Sequence, residues 1–222
     1  MINLSNQISE TIKNNKFQDL ISDVSEVILD NFLEDGLIKD IPIFGLIFKS
    51  KNLYSSIQDK LFAKKLFTFL KQLNETSNEQ RLNQIVKIDS DASYKLRVGE
   101  KLLYIINQAE DSEKAEYIGI LFNAFLKEKI KYDEFLKTTN CINNVSTVDL
   151  NNFIKRKLGG TVSDRYSEEF LSTGLLTLRY QNQTKDELGR VSGKNKVELR
   201  VSKIGRIIID VLSEKIEIGN RK

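Results

Sequence analysis

The amino-acid pattern predicts a mainly α-helical protein: an N-terminal helical bundle over residues 1–130, then a C-terminal winged-helix-like module over 131–222 containing one β-hairpin. Three observations carry that fold class. Apolar residues recur at three- and four-residue steps from the start of the chain to about residue 140. No alternating run appears before Leu175. Beyond it, two alternating runs bracket a polar loop and a last helical pattern follows.

Residues 4–33 read as amphipathic helix, with Ile8, Ile12, Leu20, Ile21, Val24, Val27, Ile28 and Phe32 on one side. The polar stretch Lys13 to Lys16 is a point where this pattern divides, and Gly36 after Glu34-Asp35 is a helix stop. The strongest apolar run, Ile41 to Phe48, holds the only proline, Pro42. Proline belongs in a first helical turn, where its missing N–H would be unpaired anyway, so Asp40 is the expected cap of a new helix. Lys49 to Leu73 continues amphipathic, with Leu53, Ile57, Leu61, Leu66, Phe69 or Leu70, and Leu73 sharing one broad face and Lys51, Lys60, Lys64, Lys65 and Lys71 on the other. Ser77-x-x-Gln80 has the form of a capping box and starts a helix over 78–88. Asp89-Ser90-Asp91 breaks it, a helix over 92–108 follows, and Asp111-Ser112 caps another over 113–129.

Farther on, the pattern predicts short helices at 131–142, 147–158 and 164–173, with Gly159-Gly160 as a turn and Gly174 as a cap. Leu175 to Gln181 and Lys196 to Val201 alternate around the loop Asn182 to Asn195, which makes a long-looped hairpin. A final helix runs from Ser202 to Lys215.

Composition excludes more chemistry than it proposes. The 222 residues include 34 basic and 31 acidic side chains, a net charge of +3, too balanced to assign a nucleic-acid or membrane partner on charge alone. There is no histidine, which removes His-dependent triads and His zinc sites. Cys141 is the single cysteine and has no internal disulfide partner. Gly159-Gly160-Thr161 and Ser192-Gly193-Lys194 lack phosphate-loop spacing, and the acidic clusters fall at helix starts, where carboxylates complement the helix dipole. No catalytic residue, cofactor or metal site is expected, and no small-molecule substrate. Neither a secretory signal nor a membrane span is expected, so the default compartment is the cytoplasm, with membrane association as an alternative.

Three surfaces are candidates for binding. The first is the apolar stretch, with Ile41, Ile43, Phe44, Leu46 and Phe48 as partner or membrane contacts. Each large apolar side chain left in water costs about 1.5–3 kcal/mol, so fold, partner or lipid must cover them. The second is the cationic face of Lys60, Lys64 and Lys65 beside it, which gives the membrane reading its basic helix. The third is the wing. Residues 1–140 carry 19 basic and 21 acidic groups, whereas 141–222 carry 15 and 10. Three helices, a hairpin and a closing helix are the order of a DNA-reading winged helix, and Arg165, Lys185, Arg190, Lys194 and Lys196 would then meet phosphates. Glu168 and Glu169 directly after Arg165 oppose that reading.

Lys39-Asp40-Ile41-Pro42-Ile43-Phe44-Gly45, with Lys64-Lys65-Leu66-Phe67-Thr68-Phe69-Leu70, resembles uncharacterised helical proteins of low-GC Gram-positive bacteria and their mobile elements. Leu171-Ser172-Thr173-Gly174-Leu175-Leu176, with Leu199-x-Val201-Ser202-Lys203-Ile204-Gly205, is similar to the ending of the abortive-infection alpha family, which is associated with phage resistance. The resemblance implies a non-enzymatic interaction or effector protein of phage-defence type, acting through a protein partner or self-association. A winged-helix DNA-binding regulator is the alternative, and a membrane-active effector using residues 37–48 the third.

Overall fold

A computed structural model describes residues 4–14, 41–49, 57–90, 92–155, 167–181, 184–185, 191–192 and 196–219. The chain divides into two compact units, Met1–Phe135 and Leu136–Lys222. The described part is mainly helical, with one six-residue antiparallel strand pair and a second pair of two residues.

In the first unit, α1 (Leu4–Lys13) and α2 (Pro42–Lys49) lie together. Pro42 opens α2, as its fixed φ favours. Asp40, the expected cap, lies outside the described residues. A residue distant in sequence does part of that work: the buried hydroxyl of Thr11 accepts from the Ile43 amide at 3.1 Å. Helix α3 (Ile57–Lys71) continues into a 3-10 turn, Gln72–Glu75, and packs along α6 (Ser112–Leu126). Gly119 permits that approach, because a Cβ there would stand 2.6 Å from the Phe69 carbonyl oxygen. Phe69, Phe122 and Phe135 form the centre, with ring centroids 5.6 Å and 5.3 Å apart.

Helix α4 (Asn78–Asp89) begins with a complete capping box. The Ser77 hydroxyl accepts from the Gln80 amide, and the Gln80 side-chain oxygen accepts from the Ser77 amide, both at 3.2 Å. Arg81, fully buried, donates from Nη1 to the carbonyls of Thr76 (3.1 Å) and Leu73 (3.3 Å), closing the end of the preceding turn. Helix α5 (Ala92–Gln108) follows, and the Asp111 carboxylate caps α6 by accepting from the Lys114 amide at 2.8 Å. The sequence pattern carries this helix to residue 129. It stops at Leu126, and Glu128 takes a left-handed conformation (φ 57°) that usually calls for glycine.

Helix α7 (Tyr132–Asn144) contains the division between the units. The second unit continues with α8 (Thr147–Lys155), α9 (Ser167–Ser172), β1 (Leu176–Gln181), β2 (Thr184–Lys185), β3 (Val191–Ser192), β4 (Lys196–Val201) and α10 (Lys203–Gly219). Its interior joins Phe153 to Phe170 edge-on at 5.4 Å and includes Leu150, Leu175, Ile208 and Leu212. Strands β1 and β4 pair antiparallel with Leu176 opposite Val201 and Gln181 opposite Lys196. The loop expected between them holds its own short ladder, Thr184 opposite Ser192 and Lys185 opposite Val191.

Candidate functional site

The hairpin of the second unit combines a fixed root with an uncovered outer half. Ser202 fixes the root. Its amide donates to the Leu175 carbonyl at 2.9 Å, and its hydroxyl donates to the Gly174 carbonyl at 2.7 Å and accepts from the Gly205 amide at 2.9 Å. One residue thus caps α10 and ties it to the start of β1. Gly174 ends the preceding helical turn in the left-handed region (φ 84°), where a side chain would be strained. Gly205 lets α10 approach the chain closely, because a Cβ would stand 2.3 Å from the Leu175 carbonyl oxygen.

Register then decides the chemistry of each hairpin face. Directly opposed residues share a face, so Leu176–Val201, Leu178–Leu199 and Tyr180–Val197 make one face wholly apolar. At its root that face is core: Leu176 and Val201 are buried. Outward it opens to water, with Leu178 at 40%, Val197 at 54% and Tyr180 at 70% exposure. Thr177–Arg200, Arg179–Glu198 and Gln181–Lys196 make the other face polar, with three cations to one carboxylate. Glu198 accepts from Arg200 (2.9 Å) rather than from Arg179 opposite it, and Arg179 is exposed. Among the described residues, no strand other than β4 pairs with β1.

The expected contact residues are distributed otherwise. Ile41, Ile43 and Phe44 are buried, Leu46 is half-buried, and the Phe44 ring lies 6.4 Å from that of Phe67. A contact surface made of Ile41, Ile43 and Phe44 is therefore corrected to interior of the first unit, where the cost of their exposure is already met by the fold. The side chain of Phe48 lies outside the described residues. The lysine face also divides. Lys60 is exposed and Lys64 half-buried, but Lys65 donates from Nζ to the carbonyls of Asn107 and Ala109, each at 2.8 Å. It satisfies the C-terminal end of α5 rather than offering a free charge. Burial lowers its pKa, and Asp111 opposes that shift. Of the wing cations, Arg165, Arg190 and Lys194 lie outside the described residues. Lys185 and Lys196 are placed by backbone alone, on β2 and β4.

The residues that sequence reasoning missed are Leu178, Tyr180, Val197, Leu199 and Arg179. Their signal was present: two alternating runs whose apolar positions all fall on one face once Leu176 is set opposite Val201. Reactive groups are sparse here. Cys141 is buried, and burial pushes its thiol up to about 11. Tyr117 is also buried and raised, by desolvation first and then by Glu113, which accepts its hydroxyl at 2.8 Å. Among the described residues no three His, Cys, Asp or Glu side chains are grouped to hold a metal ion, and no helix is long and apolar enough to cross a membrane. Comparison of the chain with protein-family models, with curated proteins and with solved structures gave no match.

Proposed function

We propose that this chain is a non-enzymatic interaction or effector protein of phage-defence type, which docks a protein through the outer half of its C-terminal hairpin. One observation carries the docking: an apolar ladder, Leu178–Leu199 and Tyr180–Val197, continues a buried face out into water. A merely structural hairpin has no need of an exposed tyrosine and valine opposite each other, and contiguous apolar surface of this kind marks interaction sites. The defence context rests on the resemblance of residues 171–176 and 199–205 to the abortive-infection alpha family. The test is phage challenge of bacteria expressing the chain. Wild type lowers plaque counts, and Tyr180→Thr with Val197→Thr removes the protection while stability stays within about 0.5 kcal/mol, as for ordinary surface substitutions. Unchanged protection by that variant removes the hairpin from the function, and absence of protection by wild type removes the defence context.

The second reading is a winged-helix DNA-binding regulator. The cationic hairpin face with Arg179 and Arg200, on a unit whose residues 141–222 hold 15 basic and 10 acidic groups, favours it. It requires duplex binding that weakens steeply with salt, and Arg190→Ala with Lys194→Ala should lower the slope of log K against log salt by about 2. A membrane-active effector is the third reading; Ile41, Ile43 and Phe44 would first have to leave the interior of the first unit.

A further inference from the structure

Strand β1 meets α9 and buries Leu176, but its residues 177–180 lie open to water. Thr177, Leu178, Arg179 and Tyr180 are all exposed, so neither of its faces is covered along that stretch, and its outer edge has no strand partner among the described residues. On β4, by contrast, Glu198 and Leu199 are half-buried. A six-residue edge without proline or glycine presents unpaired backbone N–H and C=O groups, which is a template for another strand. We infer that this edge receives an extended segment of another protein, alternating apolar and acidic residues, by strand addition to β1. The inference rests on the interaction reading above and names its partner.

Charge selects the acidic class. Arg179 is exposed and its cross-strand neighbour Glu198 already pairs with Arg200, so an added strand would set a residue beside an available guanidinium. The surrounding residues 136–222 carry 16 basic against 10 acidic groups, which favours approach of an acidic chain. On the other face the same strand would set apolar side chains beside Leu178 and Tyr180, extending the ladder laterally and covering it. Backbone pairing would supply affinity and the alternation would supply specificity.

A second copy of this chain fits less well. The antiparallel register that places Leu178 opposite Tyr180 of another copy puts the two Arg179 side chains directly opposite each other. Shifting to Leu178 opposite Leu178 puts Tyr180 against Leu176, which its own unit already buries. Face-to-face stacking fares no better. Leu178, Tyr180 and Val197 together expose on the order of 300 Å², against about 800 Å² per partner in a standard stable interface.

The probe is a fluorescein-labelled seven-residue peptide of alternating valine and glutamate, titrated into the full-length protein by anisotropy, with a valine–lysine peptide of the same length beside it. The glutamate peptide should bind, more weakly as salt rises, and its presence should slow amide exchange along residues 176–181. Arg179→Gln should lower its affinity about fivefold, the contribution of one exposed ion pair. The lysine peptide should bind the wild type more weakly than the glutamate peptide. Three results overturn the inference: no binding of the glutamate peptide, binding indifferent to Arg179→Gln, or a dimer in solution that protects residues 176–181 without peptide. If the peptide fails while Tyr180→Thr with Val197→Thr still abolishes phage protection, strand addition falls and the docking role of the hairpin stands. If both fail, the interaction reading falls with it.

Discussion

At the residue scale, two glycines show how little room the helices leave. Replacing Gly205 with alanine should help the helix intrinsically, since glycine is the poorer helix former by about 1 kcal/mol. The new Cβ, however, would stand 2.3 Å from a backbone oxygen that no rotamer change can move. Gly205→Ala is expected to destabilise the protein by about 1–3 kcal/mol net, measured by urea unfolding. Cys141 gives a second residue-level expectation. Its folded pKa of about 11 lies above the ordinary 9.0 because burial disfavours the thiolate. The stability that comes from keeping it neutral is whole below pH 9 and is lost as pH climbs through about 11. At pH 8 a disulfide reagent should label the native thiol at least about 100-fold more slowly than the urea-unfolded one, from thiolate fraction alone. Rapid native labelling would show that the thiol is neither buried nor shifted.

At the scale of elements, helix starts were the most legible feature. Ser77, Asp111 and Ser202 each cap the helix their side chains announce, because a cap is a local bargain among four residues. Ser202 also bonds Gly174 and Leu175, so Ser202→Ala should cost more than Ser77→Ala, whose bonds are exposed: about 2 kcal/mol against about 0.5, by thermal unfolding. Helix ends were less legible. Glu128 ends α6 in a glycine-like conformation, with its own amide bonded to the Phe125 carbonyl and the next amide to that of Ala124. Its carboxylate accepts from Gln84 at 2.6 Å, a partner 44 residues away that no local pattern can show. Lys65 was misread for the same reason. Its spacing marks a surface lysine, and only the tertiary arrangement brings Asn107 and Ala109 to it. In the hairpin, alternation identified the strands, but which side lay open depended on the pairing register and on what covered the root.

For the whole molecule, each unit has an interior of its own, and the apolar run 41–48 belongs to the first. Ile43, with no exposed surface, is accordingly a core position. Ile43→Asp is expected to cost about 4 kcal/mol or more by burying a carboxylate. Hydrogen exchange should show the loss in α3 and α6, and residues 197–212 should keep their protection; a stable, fully protected variant would return that segment to the surface. The first unit is also joined by bonds between distant parts of the chain. Asn123 donates to the Gln72 carbonyl across 51 residues, and Lys65 reaches 44 residues to Ala109. That has a consequence during synthesis. At about 5–20 residues per second, α3 leaves the ribosome some 2.5–10 s before α6 arrives to cover Leu66, Phe69 and Leu70. For that interval the face of α3 that meets α6 lacks its final neighbour, which makes α3 a stretch of the nascent chain that a chaperone would hold.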